Sequence, residues 1–257
     1  MATDMSAMPT GRILLERHGA VAVIRLHAPE RRNALDPEMA DDLVAACGII
    51  ARDESCGAAV IFGSGAGFCS GAVRDVLAHA GEDPAEEGRW DDISRIYHAF
   101  TAVGELPVPT IAALDGAAVG AGMNLALATD IRIVTANAMF RSGFMEIGIH
   151  PGGGHLHLLE RQIGRGTAAA IGVFGADVRG SRAVELGLAW SCVTSAQLEE
   201  EALSLAARVA ADPALARQLV LSFRMEASGV PWDSARHIER SAQMWSLRRR
   251  AKGKRSV

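Results

Sequence analysis

Short apolar runs punctuated by turn residues dominate the first two thirds of the chain. Runs at about 12–17 and 20–26 flank His18-Gly19 and predict two strands joined by a hairpin turn. A helical pattern spans about 37–52, with Asp36 placed as its cap and Pro37 as its first residue. The apolar runs at 57–62 and 109–114 read as buried strands. Residues 78–91 are rich in Gly, Asp, Glu and Pro and read as a loop, followed by a helix at about 92–104. A helix opened by Gly122 runs through Ala128, a strand follows at about 130–135, and Gly187-Leu188-Ala189 precedes another apolar strand. This alternation predicts an α/β fold with crossover connections. Past residue 195 the strand pattern stops, and helices at about 195–211, 213–228 and 232–249 read as a separate layer. Residues 1–10 carry no period and read as a mobile terminus. The expected organisation is a terminus at 1–10, a core at 11–195 and a helical region at 196–257.

Two glycine-rich turns carry the candidate chemistry. Gly67-Phe68-Cys69-Ser70-Gly71-Ala72 follows the run at 58–62, and the segment Asp115 to Asn124 follows the run at 109–114. Each reads as a buried strand, a tight turn and a helix start. Small residues let a ligand approach the main chain, and the first N–H groups of a helix lack intrahelical partners. Two such groups aimed at one point make an oxyanion hole.

Composition narrows the class. The chain has 257 residues, 49% of them hydrophobic, which suits one large domain or a core with a helical appendage. A net charge of -4 gives no reason to expect a nucleic-acid partner. No signal-peptide pattern or bilayer-length apolar run is present, so no membrane partner is expected. Cys47, Cys56, Cys69 and Cys192 form no CxxC pattern and read as structural thiols of a cytoplasmic protein. Gly63-Ser64-Gly65 after a strand, with Glu82 about twenty residues on, touches the dinucleotide-binding fingerprint. Phe68 at the third glycine position argues against it.

Further segments fall in a familiar order: Pro29-Glu30-Arg31-Arg32-Asn33-Ala34-Leu35, both turns, Ala128-Thr129-Asp130-Ile131-Arg132-Ile133, and Gly148-Ile149-His150-Pro151-Gly152-Gly153-Gly154. Together they resemble the crotonase (enoyl-CoA hydratase/isomerase) superfamily over nearly the whole chain. The resemblance implies a ββα spiral core with a C-terminal helical layer that closes the site and builds a homotrimer or a dimer of trimers. It implies an acyl-CoA thioester as substrate, with coenzyme A as its handle and no separate cofactor or metal. By the same match, the oxyanion donors are the backbone N–H groups of Ala72 and Ala121. The CoA channel falls on Arg31, Arg32, Ala34, Ala72, Val73, Arg74, Asp75 and Gly120. The family commonly has an aspartate directly after the first donor; here Val73 stands there, with Asp75 two positions later.

Hydratases of this family hold water between two glutamates. The matching positions are Asn124 and Phe144, neither of which exchanges a proton at neutral pH. Glu146 and His150 are the nearby groups able to substitute, each with a plain structural alternative as an exposed or packed side chain. His155 and His157 open the next helix two residues apart, so they do not share a face for a metal. Two readings remain open: an atypical acyl-CoA enzyme, classed with the hydratases and isomerases, and a non-catalytic acyl-CoA-binding protein on the same fold.

Overall fold

The computed structural model describes residues 4–227 and 229–253. Strand β1 (Asp4–Ala7) pairs antiparallel with β2 (Ile13–His18), which forms the predicted hairpin with β3 (Val21–Leu26). The expected terminus without regular structure is corrected for residues 4–7: the ladder on β2 orders them, and the segment's own pattern does not reveal that partner. Residues 1–3 of that expectation lie outside the described ones. Helix α1 (Pro37–Arg52) begins as read, with the Asp36 carboxylate accepting from the Met39 N–H at 2.8 Å.

From there the chain repeats one unit: a strand in a first sheet, a short strand in a second, then helix. β4 (Ala58–Gly63) and β5 (Gly67–Cys69) lead to α2 (Arg74–Glu82) and α3 (Glu87–Gly104). β6 (Thr110–Leu114) and β7 (Ala117–Val119) lead to α4 (Ala121–Ala128). β8 (Ile131–Thr135) and β9 (Met139–Arg141) lead to α5 (His155–Gly172). β10 (Val178–Arg179), α6 (Gly180–Glu185) and β11 (Ser191–Val193) complete the two sheets. The larger sheet runs β1-β2-β3-β4-β6-β8-β11 and the smaller β10-β9-β7-β5. This is the ββα spiral that the family resemblance implies.

The region read as a loop at 78–91 is corrected. It is helical except at residues 83–86, between α2 and α3. Arg89 ties the two helices through Glu82 at 2.9 Å and Glu86 at 2.5 Å. No α2 residue is fully buried; its short apolar face, with Val76 half-buried against the core, is flanked by the Gly, Asp, Glu and Pro residues that make the segment read as a loop.

The larger sheet buries both faces, as its continuous apolar strands require. Ala22, Ile24, Ala59, Ile61, Ala112 and Leu114 face the main core with α1, α3 and α4. Val21, Val23, Val60, Ile111 and Ile133 face α7 (Leu198–Ala210) through Leu198, Ala202, Ala206 and Ala210. So α7 covers the core rather than joining a separate layer. α8 (Pro213–Ala227) packs on α9 (Trp232–Gly253), which extends past the expected end at 249. Position 228, read as helical, and the tail residues Lys254 and Arg255 lie outside the described residues.

Candidate active site

Strands β5, β7 and β9 lie side by side and parallel, and the segments leaving their C-terminal ends line a cavity of about 630 Å³. Ala72 follows β5, Ala121 follows β7, and Ser142 follows β9. Ligand sites gather at the carboxyl ends of parallel strands for this reason: successive loops converge there.

Leu35 fixes the first turn. Its N–H donates to the Gly71 carbonyl and its carbonyl accepts from the Val73 N–H, both at 2.8 Å. The Ala72 N–H shares a trans peptide with the Gly71 carbonyl and so points away from Leu35. At the second turn the Gly120 carbonyl accepts from the Asn124 N–H at 3.0 Å. The Ala121 N–H, on the other side of that peptide, points out of the helix start. The turns touch: a Cβ on Gly71, whose φ is +101°, would meet the Val119 carbonyl at 2.9 Å and the Ala121 nitrogen at 3.7 Å. A Cβ on Gly122 would sit 2.1 Å from the Cys69 carbonyl. Asn33 clamps the preceding segment onto the first turn. It is fully buried, accepts from the Ala28 N–H and donates to the Ser64, Gly67 and Phe68 carbonyls at 2.9–3.2 Å.

Asn124 is 1% exposed and lines the cavity. Its Nδ2 donates to the Gly152 carbonyl at 3.0 Å, and its Oδ1 lies 2.6 Å from His155 Nδ1. His155 Nε2 lies 2.9 Å from Ser142 Oγ. The bond directions follow from the groups themselves. A carbonyl only accepts, so Nδ2 faces Gly152 and Oδ1 faces the ring. His155 Nδ1 must therefore carry the proton, and Nε2 accepts from the Ser142 hydroxyl. Burial pushes the His155 pKa down to about 4, which keeps the ring neutral at pH 7. Phe144 packs against it at 5.0 Å between ring centroids.

Of the residues singled out from sequence, Arg31, Arg32, Ala34, Ala72, Val73, Arg74, Gly120, Ala121, Asn124, Phe144, Glu146 and His150 all line this cavity. Asp75 does not; it lies in the exposed first turn of α2. Arg31 is held by Asp36 at 2.6 Å, whereas Arg32 and Arg74 are exposed. Glu146 is exposed and 3.8 Å from Arg141, and the exposed His150 ring lies 2.7 Å from the Pro151 carbonyl. Neither is bonded to Asn124. His155 is buried and His157 exposed, on different faces of α5. Sequence reasoning missed Ser142 and the buried role of His155. The available signal was Asn124 itself, because a buried carboxamide needs several partners.

A family model described as enoyl-CoA hydratase/isomerase matches residues 16–252. The chain is 39% identical over 222 residues to the probable enoyl-CoA hydratase EchA14 of Mycobacterium tuberculosis, covering 85% of this chain and 83% of that protein. It is 30% identical over 232 residues to the 1,2-epoxyphenylacetyl-CoA isomerase of Escherichia coli, covering 90% and 88%. A crystal structure of an enoyl-CoA hydratase from Polaromonas sp. JS666 superposes with a TM-score of 0.84 at 29% identity, covering 91% of each chain. The chain belongs to the enoyl-CoA hydratase/isomerase family of the crotonase superfamily.

Proposed function

We propose that this member of the crotonase superfamily binds an acyl-CoA thioester with its carbonyl oxygen between the N–H groups of Ala72 and Ala121. The observation that carries the reading is the contact of two strand-end turns, each presenting a backbone N–H not engaged by its neighbours. A thioester oxygen gains negative charge as an enolate or a tetrahedral species forms, and fixed backbone donors stabilise it. One such donor contributes roughly 3–4 kcal/mol to lowering a barrier. At the cavity mouth, exposed Arg32 and Arg74 suit the CoA phosphates through their planar donor forks.

Classical hydration is not the reaction this site favours. Asn124 cannot accept a proton because Oδ1 is an amide oxygen held by His155, and Phe144 has no proton to give. Glu146 and His150 are exposed members of the lining and do not fill the two empty roles. The same observation supports a second reading, a protein that binds acyl-CoA without turning it over.

The experiment uses two readouts. Titration with a ketone analogue of hexanoyl-CoA, methylene replacing sulfur, should saturate on wild type and weaken about tenfold or more in Ala121→Pro. Unaltered affinity in the folded variant would count against the hole. Hydration of crotonyl-CoA should run at least about 10²-fold below ordinary enzyme rates, since each acid–base group contributes roughly 10²–10⁴-fold. Ordinary turnover would return the missing roles to Glu146 and His150.

A further inference from the structure

Ser142, His155 and Asn124 form a buried chain of hydrogen bonds that the proposed binding mode leaves unused. Its order is hydroxyl, imidazole, carboxamide. Every bond direction is fixed from the Gly152 carbonyl outward, and the result leaves the Nε2 lone pair on the serine hydroxyl. An asparagine facing the ring with its amine would impose the wrong tautomer; here Gly152 takes the amine and the oxygen faces the ring. Ser142 and Asn124 line the cavity and His155 is 1% exposed, so the ring is screened from water. Ser142 sits one residue beyond β9, the strand beside β7, whose own end carries Ala121. A Cβ on Gly120 would come 3.6 Å from the Ser142 carbonyl, which places the serine backbone against the oxyanion turn. A nucleophile, the group that orients its base and two backbone donors thus border one cavity, and the buried base is bonded to the nucleophile at 2.9 Å.

We propose that Ser142, His155 and Asn124 are an acyl-transfer triad, and that the protein hydrolyses an acyl-CoA thioester through a serine ester. The proposal rests on the thioester-binding reading above. Ser142 Oγ forms a bond to the thioester carbonyl carbon while its proton passes to His155 Nε2. The Ala72 and Ala121 N–H groups hold the oxyanion. The carbon–sulfur bond breaks, and the CoA thiolate takes the proton from His155. Water then attacks the Ser142 ester with His155 again as base, releasing a carboxylic acid and restoring the hydroxyl. Water is the only co-reactant. Asn124 acts through the ring as a positioning residue.

The test mixes full-length protein with acetyl-, hexanoyl- and decanoyl-CoA and follows CoA release by chromatography and intact protein mass at early times. At least one thioester should release CoA with a transient acyl adduct mapped to Ser142. Ser142→Ala removes one oxygen from a buried site; it should lose the adduct, slow release at least about 10²-fold and keep its affinity for the hexanoyl-CoA ketone analogue. Asn124→Ala should lower kcat while KM for the same thioester stays within about twofold. Analogue binding without CoA release from any of the three would overturn the triad and leave the binding mode standing. Release at the wild-type rate by Ser142→Ala would overturn it as well. Failure of both wild type and variant to bind the analogue would overturn the binding mode, and the triad with it.

Discussion

Asn124 holds a histidine that is itself buried, and that burial has a measurable cost in acid. His155 has a folded pKa near 4, below the ordinary 6.5, because burial disfavours the charged ring. Its contribution to stability is present in full above pH 6.5 and is lost as pH falls from 6.5 toward 4, where the unfolded chain binds the proton and the fold does not. The loss amounts to at most about 3 kcal/mol. Denaturant unfolding of wild type and His155→Gln across this window should show the steeper fall in wild type; parallel curves would place the proton elsewhere. Asn33 offers a second residue-scale check. It makes four bonds from a fully buried position, so Asn33→Ala should cost about 2–4 kcal/mol by leaving buried main-chain groups unpaired. A loss under 1 kcal/mol would mean that those carbonyls find other partners. Residues of this kind were legible as positions but not as partners. Asn124 was placed in the site by match to the position of a family glutamate, while His155 and Ser142, 31 and 13 residues from their bonding partners, meet only in the fold.

At the scale of elements, what the sequence revealed followed from length and burial. The hairpin, α1 and the long strands β4, β6 and β8 carry apolar runs that cannot be solvated, and they appear within a few residues of the expected bounds. The smaller sheet stayed hidden because β5, β7 and β9 have three residues each, too few to show a period. The α2 helix stayed hidden because it is short, buries no residue fully and runs into a stretch of Gly, Asp, Glu and Pro. The positioning of the site depends on how β5 meets α4. A methyl group at Gly122 would collide with the Cys69 carbonyl, a main-chain atom that cannot rotate aside. Gly122→Ala should therefore lose about 1–3 kcal/mol of stability and shift the first turn from the second. Wild-type stability and ligand affinity together in that variant would show that the turns are not held by this contact.

For the whole molecule, the exposed apolar side chains of the last two helices need cover. Leu219, Leu221, Phe223, Met225, Trp232, Met244 and Leu247 are all well exposed in the single chain. Family resemblance suggests three copies closing on one another, and a closed ring buries such a face without leaving an edge. Sedimentation at micromolar concentration should give a trimer or a dimer of trimers, and a monomer would defeat this. The basic end is partly committed already: Arg249 pairs with Asp212 at 2.9 Å and lies over the Trp245 ring. If the end also reaches the CoA phosphates of a neighbouring channel, deleting residues 251–257 should weaken CoA ligands at low salt and have little effect at high salt. Equal affinity at low salt would leave it a solvated end. The central claim, two N–H groups polarising one carbonyl, is tested most directly by isotope-edited infrared difference spectroscopy. The probe is the ketone analogue of hexanoyl-CoA labelled with ¹³C at its carbonyl. On wild type the carbonyl stretch should move to lower frequency on binding, and most of that shift should vanish in Ala121→Pro at saturating ligand. A bound carbonyl that absorbs where it does in water, or a shift unchanged in the variant, would contradict the account.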